Sequence, residues 1–181
     1  MSLTVKDVLF RLKNQELNLR KPGWHNKGDR GQALERLLGL DNSQKLTDLL
    51  DGELKTFKRK QTIALTQLKH CLEEIINNKV NFRNSKLRRK IERVIYVGFH
   101  EDTGGFIDYK FVDLNKDLVL APKLYEDFED ISIYIRNQYS ENNQLKTFTG
   151  RNKLLQIRTK ASKTKGYYPP LLYRGFKLKD K

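Results

Sequence analysis

The stretch from Asp48 to Lys55, with the sequence Asp-Leu-Leu-Asp-Gly-Glu-Leu-Lys, constrains the fold of this chain more than any other. As a strand, its last three residues put Glu53 and Lys55 on one face, because side chains alternate along a strand. Asp48 reaches that face from the preceding turn, since Asp and Gly are common turn residues. Two carboxylates are hard oxygen ligands for Mg²⁺, and a neighbouring ammonium can orient a water or offset negative charge. The stretch therefore predicts a metal site on a strand, suited to hydrolysis of a phosphodiester.

The charge of the chain predicts a polyanionic partner. The net charge is +14 over 181 residues, and between Lys146 and Lys181 eleven Lys or Arg residues stand against Asp180 alone. Aromatic residues such as Phe148 and Tyr173 are interleaved with these cations. That pattern favours a folded nucleic-acid-binding lobe over a solvated tail. A soluble protein that is simply basic is the alternative.

Length and composition predict one folded domain in a reducing compartment. A chain of this length with 38% hydrophobic residues can bury a substantial core. Its single cysteine, Cys71, excludes an intrachain disulfide framework. No apolar run approaches the length of a membrane span, and residues 1–3 begin a helix-like pattern instead of a signal peptide. We expect a cytoplasmic protein with no membrane association.

Hydrophobic periodicity predicts an α/β (α+β) fold with a mixed β-sheet flanked by helices. The predicted helices cover residues 4–14, 29–38, 67–78 and 124–139, with a short basic helix capped by Ser85. The predicted strands cover residues 53–55, 61–66, 93–99, 106–112, 118–121, 154–158 and 176–178. The segment around Pro169 and Pro170 is predicted to be a loop.

Two features leave alternatives open. Asp108-Tyr109-Lys110 is a second acidic-x-Lys triplet, with Asp102 six residues upstream, and spacing alone does not separate it from the first. Glu35 lies next to the apolar stripe of its helix, so it is either a surface charge or a third carboxylate at the metal site. Lys27, beside two glycines, could bring a cation and backbone amides to a phosphate.

Four sequence blocks, spread from Lys27 to Lys179, together indicate a family. They are Lys27-Gly28-x-x-Gly31-Gln32-x-Leu34-Glu35; Asp48-x-x-Asp51-Gly52-Glu53-Leu54-Lys55-Thr56; Ser85-Lys86-x-x-x-Lys90-x-x-Arg93-Val94; and Leu155-Gln156-Ile157-Arg158-Thr159-Lys160-Ala161 with Arg174-Gly175-Phe176-Lys177-Leu178-Lys179. In order and spacing they resemble the PD-(D/E)xK endonucleases of the MutH type. This family comprises the mismatch-repair nicking endonuclease and related type II restriction enzymes that recognise GATC.

The resemblance implies a PD-(D/E)xK restriction-endonuclease-like fold with two arms around a DNA cleft. The catalytic arm would cover about residues 1–110 and the basic recognition arm about residues 111–181. By position in the motifs, Asp48 and Glu53 would hold one or two Mg²⁺ ions, Mn²⁺ would substitute and Ca²⁺ would inhibit. Lys55 would serve the attacking water, Glu35 would add a carboxylate, and Lys90 would add a second cation. The resemblance also ranks the Glu53 triplet above the Asp108 triplet.

On the DNA side, the resemblance implies that basic residues of two motifs face duplex DNA: Lys27, Arg158, Lys160, Arg174, Lys177 and Lys179. The expected activity is Mg²⁺-dependent, sequence-specific cleavage of duplex DNA, as in a type II restriction enzyme. A nicking enzyme of the mismatch-repair kind and a catalytically silent DNA-binding module are the alternatives. A homodimer on DNA and two successive nicks both remain open.

The chain departs from the family pattern at three points. Thr159 and Lys177 stand where the family has proline and tyrosine, which leaves the recognition sequence and the methylation sensitivity open. The spacer before Glu53 is two residues shorter than in the family, so both Asp48 and Asp51 are candidate metal ligands.

Overall fold

The computed structural model describes residues 3–14, 29–40, 47–58, 62–100, 105–140, 145–158 and 170–173. Their contacts divide the chain into two compact units. The first contains the described residues within Met1–Gln61 and Lys90–Asp113, and the second contains those within Thr62–Arg89 and Leu114–Phe176. Each unit therefore combines segments that are distant in sequence.

The helices of the first unit are α1 (Val5–Asn14) and α2 (Asp29–Leu37), and its strands are β1 (Glu53–Lys58), β3 (Arg93–Phe99) and β4 (Phe106–Asp113). The second unit contains the helices α3 (Leu72–Ile76) and α5 (Leu120–Gln138) and the strands β2 (Ile63–Gln67), β5 (Phe148–Thr149), β6 (Leu155–Ile157) and β7 (Pro170–Tyr173). Two 3₁₀ turns, Leu68–His70 and Phe82–Asn84, also belong to the second unit. Helix α4 (Lys86–Lys90) ends where the chain enters the first unit again.

The first unit is a mixed three-stranded sheet in the order β1-β3-β4. β1 runs parallel to β3, and β4 runs antiparallel to it. Leu54 of β1 and alternate residues of β3 join apolar residues of α1 and of α2 with the turn after it in one buried cluster: Val5, Val8, Leu12, Leu34, Leu38, Leu54, Ile95, Val97 and Phe99. The other face of β1 is thereby left for Glu53 and Lys55, as the period of two predicts.

Helix α2 ends as its sequence predicts. Gly39 has a φ of +71°, a conformation that glycine adopts without strain. The Leu40 amide donates to the Glu35 carbonyl at 2.8 Å, which closes the last turn. This turn fixes the register of the helix that carries the Glu35 side chain.

The second unit packs helices against an antiparallel sheet in the order β2-β7-β6-β5. Helix α5 contacts α3, β6 and the 3₁₀ turn at Phe82, and it buries Phe128, Ile131 and Ile135. Ser85 caps α4, as predicted, because its Oγ accepts a hydrogen bond from the Arg88 amide at 3.0 Å. The α/β class, with a mixed sheet flanked by helices, is confirmed.

The strand predicted at residues 118–121 is wrong, because this segment begins α5. The Asp117 carboxylate accepts hydrogen bonds from the amides of Val119, at 3.2 Å, and Leu120, at 2.8 Å. Leu118 and Val119 are 83% and 68% exposed, so their apolar character does not reflect burial. Pro122 lies in the first helical turn, where an amide has no partner within the helix.

Two other predictions need correction. The helix predicted over residues 67–78 is divided, because the Cys71 amide bonds to the Leu68 carbonyl three residues earlier and closes a 3₁₀ turn before α3. The loop predicted around Pro169 and Pro170 contains β7, in which Pro170 occupies the first position, where proline is tolerated. The strand predicted at residues 176–178 lies outside the described residues. No helix in the described part of the chain is long and apolar enough to cross a membrane.

Candidate active site

Asp48 and Glu53 are held together by two reciprocal hydrogen bonds. The Asp48 amide donates to Glu53 Oε2 at 3.2 Å, and the Leu54 amide donates to Asp48 Oδ2 at 3.3 Å. The turn between them is closed by the Leu49 amide, which donates to the Gly52 carbonyl at 2.9 Å. The two carboxylates are therefore brought together by backbone geometry before any metal is considered.

Gly52 is required for this turn because the chain passes very close to two neighbours. A Cβ at this position would lie 2.5 Å from Val5 Cγ2 and 2.7 Å from the Arg93 carbonyl oxygen. Neither α1 nor β3 can move away without disturbing the core. The glycine thus lets β1 start directly beside β3, with Glu53 as its first residue.

Two lysines converge on the buried carboxylate of Glu53. Glu53 is 0% exposed, the Lys55 ammonium contacts its Oε1, and the Lys90 ammonium lies 3.4 Å from the same atom. Oε1 is nonetheless an acceptor without a directed hydrogen bond among the described residues, so both contacts are ion pairs by proximity. Lys55 and Lys90 keep 20% and 24% of their side-chain surface exposed, so neither side chain is sealed in the core as Glu53 is.

Glu35 belongs to the same neighbourhood. Burial raises the pKa of the Glu35 carboxyl, and the negative charges of Asp48 and Glu53 raise it further against the opposing effect of Lys55. The structure thus brings together Glu35, Asp48, Glu53, Lys55 and Lys90, which we call the Glu53 cluster. All of them belong to the first unit.

The Glu53 cluster fits a hard cation, but only through two carboxylates. The buried Oε1 of Glu53 lacks a directed donor, and such an oxygen suits a metal ion. Across the described ranges, no three His, Cys, Asp or Glu side chains are placed to hold one ion together, so Glu35 does not complete a set with Asp48 and Glu53. Mg²⁺ needs only one or two carboxylates, because water and phosphate oxygens fill its other positions.

Asp51, the alternative ligand, is engaged in the fold. Its Oδ1 accepts from the Val5 amide at 2.7 Å, at the first residue of α1, and its Oδ2 pairs with the Arg93 guanidinium. Arg93 also donates to the Asp51 carbonyl at 3.2 Å. Both carboxylate oxygens of Asp51 therefore have protein partners, which favours Asp48 as the ligand. Arg93 appears in the sequence only as part of the third motif block, and its position at the start of a buried strand is the signal for its structural role.

The rival triplet lies on β4. Asp108 is opposite Gly98 of β3, and Lys110 is opposite Tyr96, which is itself opposite Lys55. The Asp108 carboxylate accepts a hydrogen bond from the next amide in its own strand, at 2.8 Å. Asp102 lies outside the described residues. Lys110 thus lies on the same face as Lys55, two strands away.

Of the residues predicted to contact DNA, the structure describes Arg158. It is exposed directly after β6, and its Nε donates to Gln156 Oε1 at 2.6 Å. The others, Lys27, Lys160, Arg174, Lys177 and Lys179, lie outside the described residues. Gln156 is a buried polar residue, 5% exposed, and its position in a motif gave no sign of that burial.

A cavity of about 870 Å³ in the second unit shares no residue with the Glu53 cluster. Its charged lining residues include Asp117 and Glu126, whose carboxylates are already bonded to the start of α5 and to Asn152. The size of this cavity is therefore no argument for placing the chemistry there.

Replacing Glu35 by Gln should stabilise the metal-free protein at neutral pH. A carboxyl whose folded-state pKa is raised binds protons more tightly when folded, so its contribution to stability falls as pH rises above the unfolded value of 4.5. Gln mimics the protonated form, so the gain should be near zero at pH 4 and about 0.5 kcal/mol at pH 7, allowing for screening by water. Denaturant-induced unfolding of both proteins at pH 4 and pH 7, with a chelator present to keep them metal-free, measures the gain at each pH.

Glu73→Gln, on the exposed side of α3, is the matched control and should show no comparable gain between the two pH values. A Glu35→Gln variant that is less stable at pH 7 would mean that attraction to Lys55 outweighs burial and repulsion.

No protein-family model matches this chain, and no curated protein matches its sequence.

Proposed function

We propose that this chain is a Mg²⁺-dependent endonuclease that hydrolyses phosphodiester bonds of duplex DNA, with a PD-(D/E)xK-type fold and active site. The observation that carries the proposal is the convergence of two lysines on one buried glutamate. Lys55 comes from the same strand as Glu53, whereas Lys90 comes from the end of a helix some 35 residues later in the sequence. The strand period predicts a position for Lys55 beside Glu53, and the resemblance to the MutH-type family implies an active-site role for both lysines.

In this proposal Asp48 and Glu53 are the metal ligands. When bound there, Mg²⁺ would polarise a phosphoryl oxygen and lower the pKa of a bound water. The hydrogen bonds between the Asp48 segment and the start of β1 hold the two carboxylates in one arrangement, so little ordering is required on binding. The charge of Glu35 adds to the negative potential that would attract the cation.

The two lysines supply what the carboxylates cannot. The Lys55 ammonium, held against Glu53 Oε1, would orient the attacking water or donate to the phosphate. Lys90, 3.4 Å from the same oxygen, would offset the negative charge that develops on the phosphoryl group. Glu53 thus keeps both ammonium groups beside the site, and a bound metal would share its Oε1 with them.

The charge distribution supports DNA as the substrate. The net charge of +14, with most of it after residue 145, suits a polyanion whose binding releases counterions. Arg158 is exposed and fixed at Nε, as expected of a residue that reads DNA. A type II restriction enzyme is the form of the proposal that we favour, acting as a homodimer on a palindrome or by successive nicks.

The alternative from another class is a DNA-binding module without catalysis. A basic chain could bind DNA with no metal, but it would have no need for a buried Glu53 that holds two lysines. A nicking enzyme of the mismatch-repair type shares the site and differs in its product.

Incubation with unmethylated and adenine-methylated phage DNA, in Mg²⁺ or Ca²⁺, tests the function. Discrete fragments in Mg²⁺ and bound, uncut DNA in Ca²⁺ are the expected result. Nicks without double-strand breaks would favour the repair-type reading. DNA that is retarded but uncut under every condition would leave only the binding module.

Metal binding should be visible without DNA. A ligand that binds only the folded state adds about 2.7 kcal/mol at one hundred times its dissociation constant. For a chain of this length that corresponds to a rise in melting temperature of about 5–10 °C. Asp48→Asn should abolish the rise in Ca²⁺, and Asp108→Asn, in the rival triplet, should keep it. An equal rise in both variants would place the metal elsewhere.

A further inference from the structure

The β5–β6 pair contains a short hydrogen-bonded chain that ends on Arg158. Thr149 of β5 lies directly opposite Gln156 of β6. Gln156 Nε2 donates to Thr149 Oγ1 at 2.6 Å, and Arg158 Nε donates to Gln156 Oε1, also at 2.6 Å. All three residues belong to the second unit. A buried amide therefore connects a half-buried hydroxyl on the edge strand β5 to an exposed guanidinium.

The chemistry of these groups allows one orientation of the amide. An arginine Nε–H can only donate, so the Gln156 oxygen must face Arg158. The Gln156 NH₂ must then face Thr149, whose hydroxyl oxygen accepts. Gln156 is 5% exposed, so water offers little replacement for either bond. The Arg158 Nε–H thus sets the orientation of the amide, and the Thr149 hydroxyl, by accepting from the amide NH₂, holds it in that orientation.

The hydrogen bond to Gln156 also restricts how Arg158 can bind a ligand, because it occupies the Arg158 Nε–H. Within the described ranges its one hydrogen bond is from Nε, which leaves the edge with two Nη groups for a partner. A guanidinium held in this way presents two parallel donors in a fixed plane. The O6 and N7 atoms of guanine form a matching pair of acceptors in the major groove.

We propose that Thr149 and Gln156 are positioning residues that hold Arg158 for bidentate contact with the O6 and N7 atoms of a guanine in the recognition sequence. The inference rests on the proposed function and makes it more specific. Fixing the guanidinium in advance reduces the rotamer freedom lost on binding and penalises any base without that acceptor pair. A phosphate contact would supply affinity but no sequence information.

The matched variants Thr149→Val and Thr149→Ser test the proposal. Valine keeps the shape and removes the acceptor, whereas serine keeps the acceptor. Cleavage of a randomised duplex library in Mg²⁺, read by sequencing the cut sites, gives the base preference at each position. We expect Thr149→Val to lower the preference for guanine at one position by about five- to tenfold, and Thr149→Ser to keep it. Affinity for a non-cognate duplex in Ca²⁺, and its salt dependence, should not change in either.

Gln156→Glu and Gln156→Leu give an independent pair. A carboxylate still accepts from Arg158 Nε, and the Thr149 hydroxyl can turn to donate to it, so the glutamate variant should retain the guanine preference. The leucine variant should lose it. Nuclear magnetic resonance of the Arg158 Nε–H, assigned with Arg158→Lys, should show faster exchange with solvent in Thr149→Val than in Thr149→Ser.

The outcomes separate this inference from the function on which it rests. An unchanged guanine preference in Thr149→Val, with wild-type cleavage intact, would overturn the inference alone. A uniform loss of affinity of Thr149→Val for every DNA sequence, with a smaller salt dependence of binding, would assign Arg158 to a phosphate contact. This result would also overturn the inference. If the wild-type protein neither binds nor cuts DNA, both proposals are wrong.

Discussion

Glu53→Gln should lower the rate of DNA cleavage by about 10³-fold or more while DNA binding is retained. The substitution keeps the size of a fully buried side chain but removes the charge that a metal and two lysines require. Asp48→Ala should have a comparable effect, because it removes the other proposed ligand. Single-turnover cleavage at saturating protein separates the chemical step from binding.

Lys55→Ala and Lys110→Ala form the matched comparison for this prediction. Both lysines flank Tyr96 on the same face of one sheet, and each ends an acidic-x-Lys triplet. Loss of Lys55 should reduce cleavage about 10²-fold or more, whereas loss of Lys110 should leave it within about threefold. The opposite result would move the active site to the Asp108 triplet.

Asp51→Asn separates a ligand from a structural carboxylate. It removes the charge paired with Arg93 and weakens the contact at the start of α1, so the free energy of unfolding should fall by about 1 kcal/mol. The folded variant should cleave at nearly the wild-type rate. If Asp51→Asn is inactive at full stability and Asp48→Ala is active, the ligand assignment is reversed.

Asp127→Ala should cause the largest loss of stability that we expect from a single substitution in this chain. Its carboxylate is 0% exposed and accepts from the amides of Asn152, Leu154 and Leu155 at 2.6, 2.7 and 2.9 Å. Removal leaves these amides without their acceptor, at a cost of about 3 kcal/mol in total. The melting temperature should fall by about 6–12 °C.

Asp130→Ala is the control for Asp127, one turn further along α5. Its contacts with Arg151 lie at the surface, so the loss should be about 1 kcal/mol or less. Hydrogen bonding to Arg151 lowers the pKa of Asp130, so its contribution is present above pH 3.8 and is lost as pH falls through the folded-state value. Equal losses of stability in Asp127→Ala and Asp130→Ala would mean that burial of the carboxylate does not determine the cost of removing it.

Gly150→Ala tests the same contact from the other side. A Cβ on Gly150 would lie 2.7 Å from Asp127 Cα and closer still to its side chain. Because moving the backbone of α5 would disturb its buried contacts, the turn before β6 would have to shift instead. We therefore expect a loss of stability comparable to that of Asp127→Ala, measured in the same denaturation series.

The local part of the Glu53 cluster was predictable from sequence. A strand period of two puts Glu53 and Lys55 together, and the turn residues before them bring Asp48 close. The contact of Lys90 with Glu53 depends on tertiary structure that no short pattern contains, and the family resemblance implied only that Lys90 is an active-site cation. The choice between Asp48 and Asp51 as the ligand depends on the contacts of Asp51 with Val5 and Arg93, which are far from it in sequence.

The errors in the fold arose where local signals competed. Leu118 and Val119 have the composition of a strand, but Asp117 caps a helix there and Pro122 fits its first turn. The capping pattern was present in the sequence and should have outweighed apolar character. Pro170 suggested a loop, yet a strand can begin with proline, and Pro170 lies opposite Gln67 at the start of β7.

The parallel pairing of β1 with β3 has a consequence for the order of events during synthesis. Glu53 lies beside Val94, so the chain must extend about 40 residues beyond the acidic motif before β1 has its neighbour. Pairing across such a separation is slow, because closing the intervening loop costs entropy before any contact repays it. Prematurely terminated chains that lack β3 would carry every proposed metal ligand in an unassembled form. If the folded chain cuts DNA as proposed, such fragments would be harmless to the cell that makes them.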